Sequence, residues 1–417
     1  MTTRLGASGS STVNGPAMRS SDDTTRSVPA MKIAGARTTV VGTPWRELVF
    51  VELLTDSGLV GLGEIRIVNK TSALVACIDE LAPRYVIGSD PFDVERLARN
   101  ILHADYGRPE EITQSALAAF DVACWDIVGQ ALGVPIWKLL GGRTRDRVPA
   151  YANGWYQADR DPKTIGRLAR TVVARGYRAL KLDPFGAVST EISAPDRRVA
   201  VEILAAVRDA VGPDVQIMVE MHGRFTPAMA VRMAKLLEPY DPEWIEEPVP
   251  PENPTAMARV RAATGLTIAT GERAHTPEDI RPFIEGGLVD VVQVDLTHFG
   301  GFLAMKRLAG WADAYSLLMA PHNVCGPVGT MANVHFAVCT PNYKILEHFN
   351  DFADSWLQDL VDEPPRVDEA DGCFSVPERP GLGVRLNHDA CAKHPRTGGR
   401  IRLFEEGWER RGFSGGE

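Results

Sequence analysis

The segment VQIMVEMH, Val215–His222, is a nearly continuous apolar run that ends on a carboxylate and an imidazole. Such a run suits a strand covered on both faces, as in a parallel sheet flanked by helices. Glu220 and His222 are separated by one residue, so in an extended chain they point the same way. Similar short runs recur along the chain: RALKLD, EWIEEP, LTIATGE, VDVVQVD, SLLMAPHN and YKILEHF. Between them lie stretches with apolar residues at helical spacing, such as RRVAVEILAAVRDAV and PAMAVRMAKLLEPY. Strand, loop and helix repeated roughly seven or eight times over about 200 residues predict an α/β protein built on a TIM-type barrel.

The barrel is placed at residues 147–350. Before it, LVFVELLTDSGLVGLGEI sets two apolar runs about Asp56-Ser57-Gly58, a β-hairpin pattern, and ITQSALAAFDVACWDIVGQAL reads as helix. Strands followed by helices over 31–146 predict a small α+β domain. From about Asp351 the rhythm stops, so 351–417 is expected to leave the barrel and pack elsewhere. Residues 1–30 are rich in Ser, Thr and Gly without an apolar core. They are expected to be a disordered tail, with Met31 a candidate natural start.

Composition narrows the function. The apolar share of 44% and charged share of 24% are those of a globular protein. A net charge of −9 speaks against a nucleic-acid partner. No uninterrupted apolar run reaches the roughly 18 residues that a bilayer span needs, so no membrane is expected. Six cysteines without a C-x-x-C pair suit reduced thiols in a cytoplasmic enzyme, not a disulfide framework or zinc site.

The strand ends are polar where a barrel interior is apolar, which is costly unless those residues have a task. They carry Lys181, Asp183, Glu220, His222, Glu246, Glu272, Asp295, His322 and Glu347. From Glu220 onward the intervals between the carboxylates and His322 are 26, 26, 23, 27 and 25 residues, about one βα unit each. Each is therefore expected at the same height on a successive strand, all converging on one mouth. Glu220, Glu246 and Glu272 crowd three negative charges together, which calls for a cation. Oxygen-only ligands suit Mg²⁺, or Mn²⁺, over zinc. In WIEEP, strand alternation leaves the choice between Glu246 and Glu247 open.

Asp295 and His322 fall on neighbouring strands. A carboxylate behind an imidazole fixes its tautomer and raises its basicity, as a general base requires. Lys181 beside a metal site can hold a substrate carboxylate and neutralise developing enolate charge. His275 and His298 also fall near the mouth.

With these residues in place, the sequence resembles the enolase superfamily, in its mandelate racemase-like branch. The resemblance spans Met31 to about Phe374 and includes ALAAFDVACWDIVGQALGVPIWKLLGG, WIEEP, ATGER, QVDLTHFGG and APHNVCGP. It implies a modified (β/α)8 barrel, an α+β N-terminal capping domain and a C-terminal segment returning to the cap. Capping loops are expected near Val41–Glu47 and Glu64–Leu74. The resemblance assigns Glu220, Glu246 and Glu272 as Mg²⁺ ligands, choosing Glu246 over Glu247. It assigns Asp295 and His322 as the base dyad and Glu347 as an electrophilic or hydrogen-bonding group.

Two departures from the pattern matter. Glu220 stands where many relatives have Asp. The K-x-K of racemising relatives is here K-x-D, Lys181-Leu182-Asp183, which removes the base on one face and speaks against racemisation. Instead VEMHGRF resembles the D-x-H-G-R of galactonate dehydratase-like members, whose histidine acts as general acid. The resemblance thus implies an acid-sugar (aldonate or aldarate) dehydratase, a hydro-lyase with His322 as base and His222 as acid. The alternative on the same scaffold is a sugar-acid cycloisomerase or epimerase. A hydrolase lacks ligands for a second metal, and GFSGG at Gly412–Gly416 leaves no room for the helix of a nucleophile elbow. Asp183, Arg273, Trp45, Asn153 and Trp155 are taken as substrate contacts. A small-molecule acid sugar is the expected partner, with a homo-oligomer expected as well.

Overall fold

Proline and cap residues set where the barrel helices begin. Asp161, Ser193, Thr226 and Asn253 each accept a backbone N–H of the helix that follows, with proline in its first two positions. The computed structural model describes residues 30–410, so the N-terminal segment expected to be disordered and the GFSGG stretch lie outside the described residues. The chain starts with an antiparallel sheet of β1 (Ile33–Gly42), β2 (Glu47–Thr55) and β3 (Val60–Ile65). Helices α1 (Thr71–Leu81), α2 (Val94–Ala104) and α3 (Glu111–Leu132) cover it, and short α4 (Ile136–Leu139) leads out. The second expected cap loop is shorter than predicted, because α1 starts at Thr71. A Cβ on Gly61 would stand 2.0 Å from the Ala123 carbonyl oxygen, and one on Gly63 2.4 Å from that of Ala119. These two glycines let α3 lie directly on β3. In length and composition α3 could cross a membrane, yet most of it is buried, as in a core helix.

The barrel follows as β4 (Arg147–Ala152), α5 (Pro162–Ala174), β5 (Ala179–Leu182), α6 (Ala194–Val211), β6 (Gln216–Glu220), α7 (Pro227–Leu237) and β7 (Trp244–Glu246). It continues with α8 (Pro254–Arg261), β8 (Ile268–Thr270), α9 (Pro277–Glu285), β9 (Val291–Val292), α10 (Phe302–Ala314), β10 (Leu318–Met319), α11 (Pro327–Val338) and β11 (Leu346–His348). Neighbouring strands are parallel, and a bridge from Met319 to Tyr343 closes the ring. After β11 the chain makes 3₁₀ turns, not an eighth α-helix, so the barrel is a modified one.

The tail does not simply leave the barrel as expected. Its hairpin, β12 (Val367–Asp368) and β13 (Cys373–Ser375), adds antiparallel to β4 at Arg147–Pro149. The first half of β4 extends below the stretch that β11 pairs, and its free edge takes the hairpin.

Layering inside the barrel explains where the polar residues stand. Tyr151, Ala179, Met218, Trp244, Ala269, Val291, Ala320 and Ile345, one for each strand, form a closed apolar floor. Two residues further along each strand is the next inward position. Those positions are Asn153, Lys181, Glu220, Glu246, Gly271, Gln293, His322 and Glu347. The expectation of a single height therefore needs correcting for two groups. Glu272 follows Gly271, whose φ of +139° takes the chain out of strand geometry, and Asp295 stands one layer above Gln293.

Buried carboxylates join the cap to the barrel. Glu64 of β3 accepts the N–H groups of Gly326, Val328 (2.9 Å) and Gly329 (2.9 Å), where α11 begins. Asp121 of α3 accepts Phe302 N–H at 2.6 Å, where α10 begins. Free helix N-termini favour negative charge, which offsets part of the cost of burying these groups. Burial still pushes Glu64 up to about 7 and Asp121 up to about 8.

Candidate active site

The acidic layer surrounds one ammonium. Lys181 Nζ lies 2.6 Å from Glu246 Oε1, 3.0 Å from Glu347 Oε1 and 3.3 Å from Glu220 Oε2. Burial would lower its pKa, but Glu246 and Glu347 outweigh burial and raise it well above the ordinary lysine value. Glu246 also accepts Trp244 Nε1–H (2.9 Å) and Gln293 Nε2–H (2.7 Å) on Oε2. Glu347 accepts Asn153 Nδ2–H at 2.6 Å and Asn323 N–H at 2.8 Å. Burial, and then the like charge of Glu220, push Glu246 up to about 7.

Glu220, Glu246 and Glu272 each bring a carboxylate oxygen within 4.8 Å of the other two. Three hard oxygen donors from the ends of three successive strands fit a divalent cation of the Mg²⁺ kind. The ambiguity in WIEEP is resolved geometrically. Glu246 joins this cluster, whereas Glu247, at φ +39°, turns away and its Oε2 lies 3.0 Å from both Arg273 Nε and Nη2.

Two of the imidazoles that face the cavity are each hydrogen-bonded to a carboxylate. His322 Nδ1 donates to Asp295 Oδ2 at 2.8 Å, and its Nε2 lies 3.6 Å from Glu272 Oε2. Burial works against protonation of His322, but Glu272 and Asp295 prevail and raise its pKa to about 9. Asp295 is fixed in turn by Thr297 N–H and Oγ1–H at 2.8 and 2.7 Å. His222 Nδ1 donates to Asp183 Oδ2 at 2.6 Å, and Arg224 Nη2 donates to the same oxygen at 2.5 Å. Burial of Asp183 is overcome by Arg224 and His222, which leave its pKa below the ordinary carboxylate value.

The letters H-G-R after Glu220 can be read physically. His222 adopts φ +48°, a left-handed turn that redirects the chain at the strand end. A Cβ on Gly223 would stand 1.8 Å from Arg273 Nη2, so only glycine lets that guanidinium lie there. Arg224 then reaches back to Asp183 behind the imidazole.

A cavity of about 640 Å³ opens above this layer, with Lys181, Glu220, His222, Glu272 and His322 exposed to it. Of the residues taken as substrate contacts, Trp45, Asn153 and Arg273 line it. Asp183 and Trp155 do not, and these two expectations are corrected. The Asp183 side chain is fully buried behind His222. Gly154 turns the chain at φ +81°, and the Trp155 indole then points away from the cavity and donates to the Lys181 carbonyl at 2.8 Å. Tyr156 lines the cavity in its place. His275 and His298 also line it, their rings stacked with centroids 6.0 Å apart. Arg66, within the expected second capping loop, also lines the cavity, as does the C-terminal stretch from Arg400 to Trp408, which sequence reasoning did not place there.

Comparison with known proteins agrees with this architecture. Residues 164–390 match the family model described as enolase C-terminal domain-like. Residues 21–141 match the mandelate racemase / muconate lactonizing enzyme N-terminal domain. The chain is 37% identical over 359 residues to D-gluconate dehydratase of Thermoproteus tenax, covering 86% of this chain and 72% of that protein. It is 34% identical over 355 residues to D-galactonate dehydratase of Klebsiella pneumoniae (strain 342), covering 83% and 91%. A crystal structure of a mandelate racemase/muconate lactonizing enzyme from Jannaschia sp. CCS1 superposes with a TM-score of 0.82 at 33% identity, covering 89% of this chain and all of that one.

Proposed function

The chain belongs to the enolase superfamily, in its mandelate racemase and muconate lactonizing enzyme branch, and on that premise we propose that it is an acid-sugar dehydratase. One observation carries the reading. Two imidazoles, each oriented by a buried carboxylate, face one cavity above a cluster of three glutamates. A divalent cation held by Glu220, Glu246 and Glu272, Mg²⁺ or Mn²⁺, would supply electrophilic stabilisation of charge on the substrate carboxylate. Lys181 adds a fixed positive charge beside that carboxylate. His322 Nε2 accepts the proton from C2, with Asp295 holding the resulting imidazolium. His222 delivers a proton to the C3 hydroxyl, the C3–O bond breaks, and water leaves. The enol tautomerises to a 2-keto-3-deoxy acid. Asp183 is sequestered by His222 and Arg224, so it cannot serve as a second base, and this favours dehydration over racemisation.

A screen of aldonic and aldaric acids for 2-keto acid formation, with Mg²⁺ and with EDTA, tests the reading. The expected result is a metal-dependent hit. C2 deuterium exchange without a keto acid would move the assignment to an epimerase or cycloisomerase.

The role of Lys181 yields a separate stability prediction. Lys181→Met leaves buried carboxylates facing one another, and breaking such a pair costs about 3–5 kcal/mol. In EDTA its thermal midpoint should fall well below that of the parent. Mg²⁺ should raise the midpoint of the variant by more than it raises the parent's. Equal metal responses in the two proteins would remove Lys181 from the charge balance.

A further inference from the structure

The C-terminal segment crosses the mouth of the cavity as a strap anchored at both ends. At the cap, Arg396 Nε donates to both oxygens of Glu47 at 3.1 Å, and Gly398 N–H donates to Glu47 Oε1 at 2.8 Å. Asn69 and Ile401 exchange two hydrogen bonds, at 2.8 and 3.0 Å. At the barrel, Arg410 Nε donates to Asp159 Oδ1 at 2.6 Å. Between these anchors the strap places two aromatic rings on His222. The imidazole centroid is 5.3 Å from Phe404 and 5.8 Å from Trp408, both in edge geometry. The two aromatic rings meet each other edge-on at 5.5 Å. The Arg224 guanidinium lies 4.6 Å from the Phe404 centroid, so the same ring covers the cation that holds Asp183.

The hydrogen bond from Nδ1 to Asp183 and the covalent tether at Cβ hold two points of the imidazole and leave it able to rock about the line through them. Rings packed against the imidazole at steep angles remove this freedom and keep water off its flank. We propose that Phe404 and Trp408 are positioning residues for His222, so that the C-terminal strap is a working wall of the active site. The kinetic consequence rests on the dehydratase reading above, whereas the structural consequence does not.

The experiment uses the full-length enzyme with Phe404→Ala, Trp408→Ala and the conservative Trp408→Phe. Misplacing a reacting group by about 1 Å can cost up to about 10²-fold. Dehydration should therefore fall at least about tenfold in both alanine variants while C2 deuterium exchange stays within about twofold of the parent. Trp408→Phe should recover most of the dehydration rate. Equal losses of exchange and dehydration, or no loss, would overturn the proposal. A second measurement needs no substrate. In protein labelled with ¹³C at histidine Cε1, the His222 signal, identified by its absence in His222→Asn, should move in Trp408→Ala while that of His322 does not. An unmoved His222 signal would overturn the proposal even if no sugar acid were turned over. A moved signal in a protein that dehydrates no acid would leave the proposal standing and sink only the dehydratase reading.

Discussion

His322→Asn is expected to abolish C2 proton exchange and dehydration together, lowering kcat by about 10²–10⁴-fold or more. The reason is geometric. His322 Nδ1 is committed to Asp295 at 2.8 Å, so Nε2 is the atom left to take a proton from substrate in the cavity. Asparagine keeps a polar group of similar reach but cannot act as a base near neutral pH. The three clustered carboxylates are untouched, so Mg²⁺ binding by calorimetry should persist and separate loss of the base from loss of the metal site. Retained exchange in this variant would overturn the base assignment.

The same residue sets the direction of a pH profile. A base works unprotonated, so the rate of C2 exchange, which needs the base and not the acid, should rise with pH through the His322 pKa and then level off. Burial lowers that pKa, but Glu272 leads the groups that raise it to about 9 in the metal-free chain. A cation on Glu272 would oppose this largest raising influence. The ascending limb should therefore lie below pH 9 in the metal-loaded enzyme. A limb that falls over this range would mean that His322 must be protonated to work.

Much of this site was legible because strand side chains alternate. Glu220, Glu246 and His322 stand two residues beyond Met218, Trp244 and Ala320 of the apolar floor, and short apolar runs ending on a polar group marked all three. Reading failed where the backbone leaves extended geometry. Gly154 at φ +81° sends Trp155 behind the cavity and brings Tyr156 to it. Alternation alone could not tell Glu246 from Glu247, where the resemblance had chosen Glu246. The left-handed turn at Glu247 puts Glu246 in the cluster and sends Glu247 to Arg273. Asp183 was legible as inward-facing, but its partner Arg224 comes from the next strand's turn, a pairing that no local period encodes. The strap is the extreme case. Phe404 and Trp408 are four residues apart, a spacing that suggests a helix face. Phe404 instead adopts φ +65°, and its placement depends on anchors at Glu47, Asn69 and Asp159, hundreds of residues away in sequence.

His222→Asn is expected to separate the two halves of the reaction. Dehydration should fall by about 10²–10⁴-fold, the usual contribution of a positioned acid, while C2 exchange on the same substrate continues. Asparagine suits the test because it tolerates the left-handed backbone at φ +48° better than most residues. It also preserves the backbone N–H that donates to Glu220 Oε1 at 2.6 Å, so the metal ligand two residues earlier keeps its orientation. Asp183 keeps Arg224 as a partner and is not left as an unpaired buried charge. The base side, His322 with Asp295, makes no hydrogen bond to this turn and should go on removing and returning the C2 proton. NMR in D₂O would then show deuterium entering C2 of recovered substrate without accumulation of a keto acid. If exchange stops as well while metal binding persists, His222 takes part before the C3–O bond breaks. Its link to Asp183 would then serve substrate binding or C2 activation, and the acid for the departing hydroxyl would have to be found among the other groups that line the cavity.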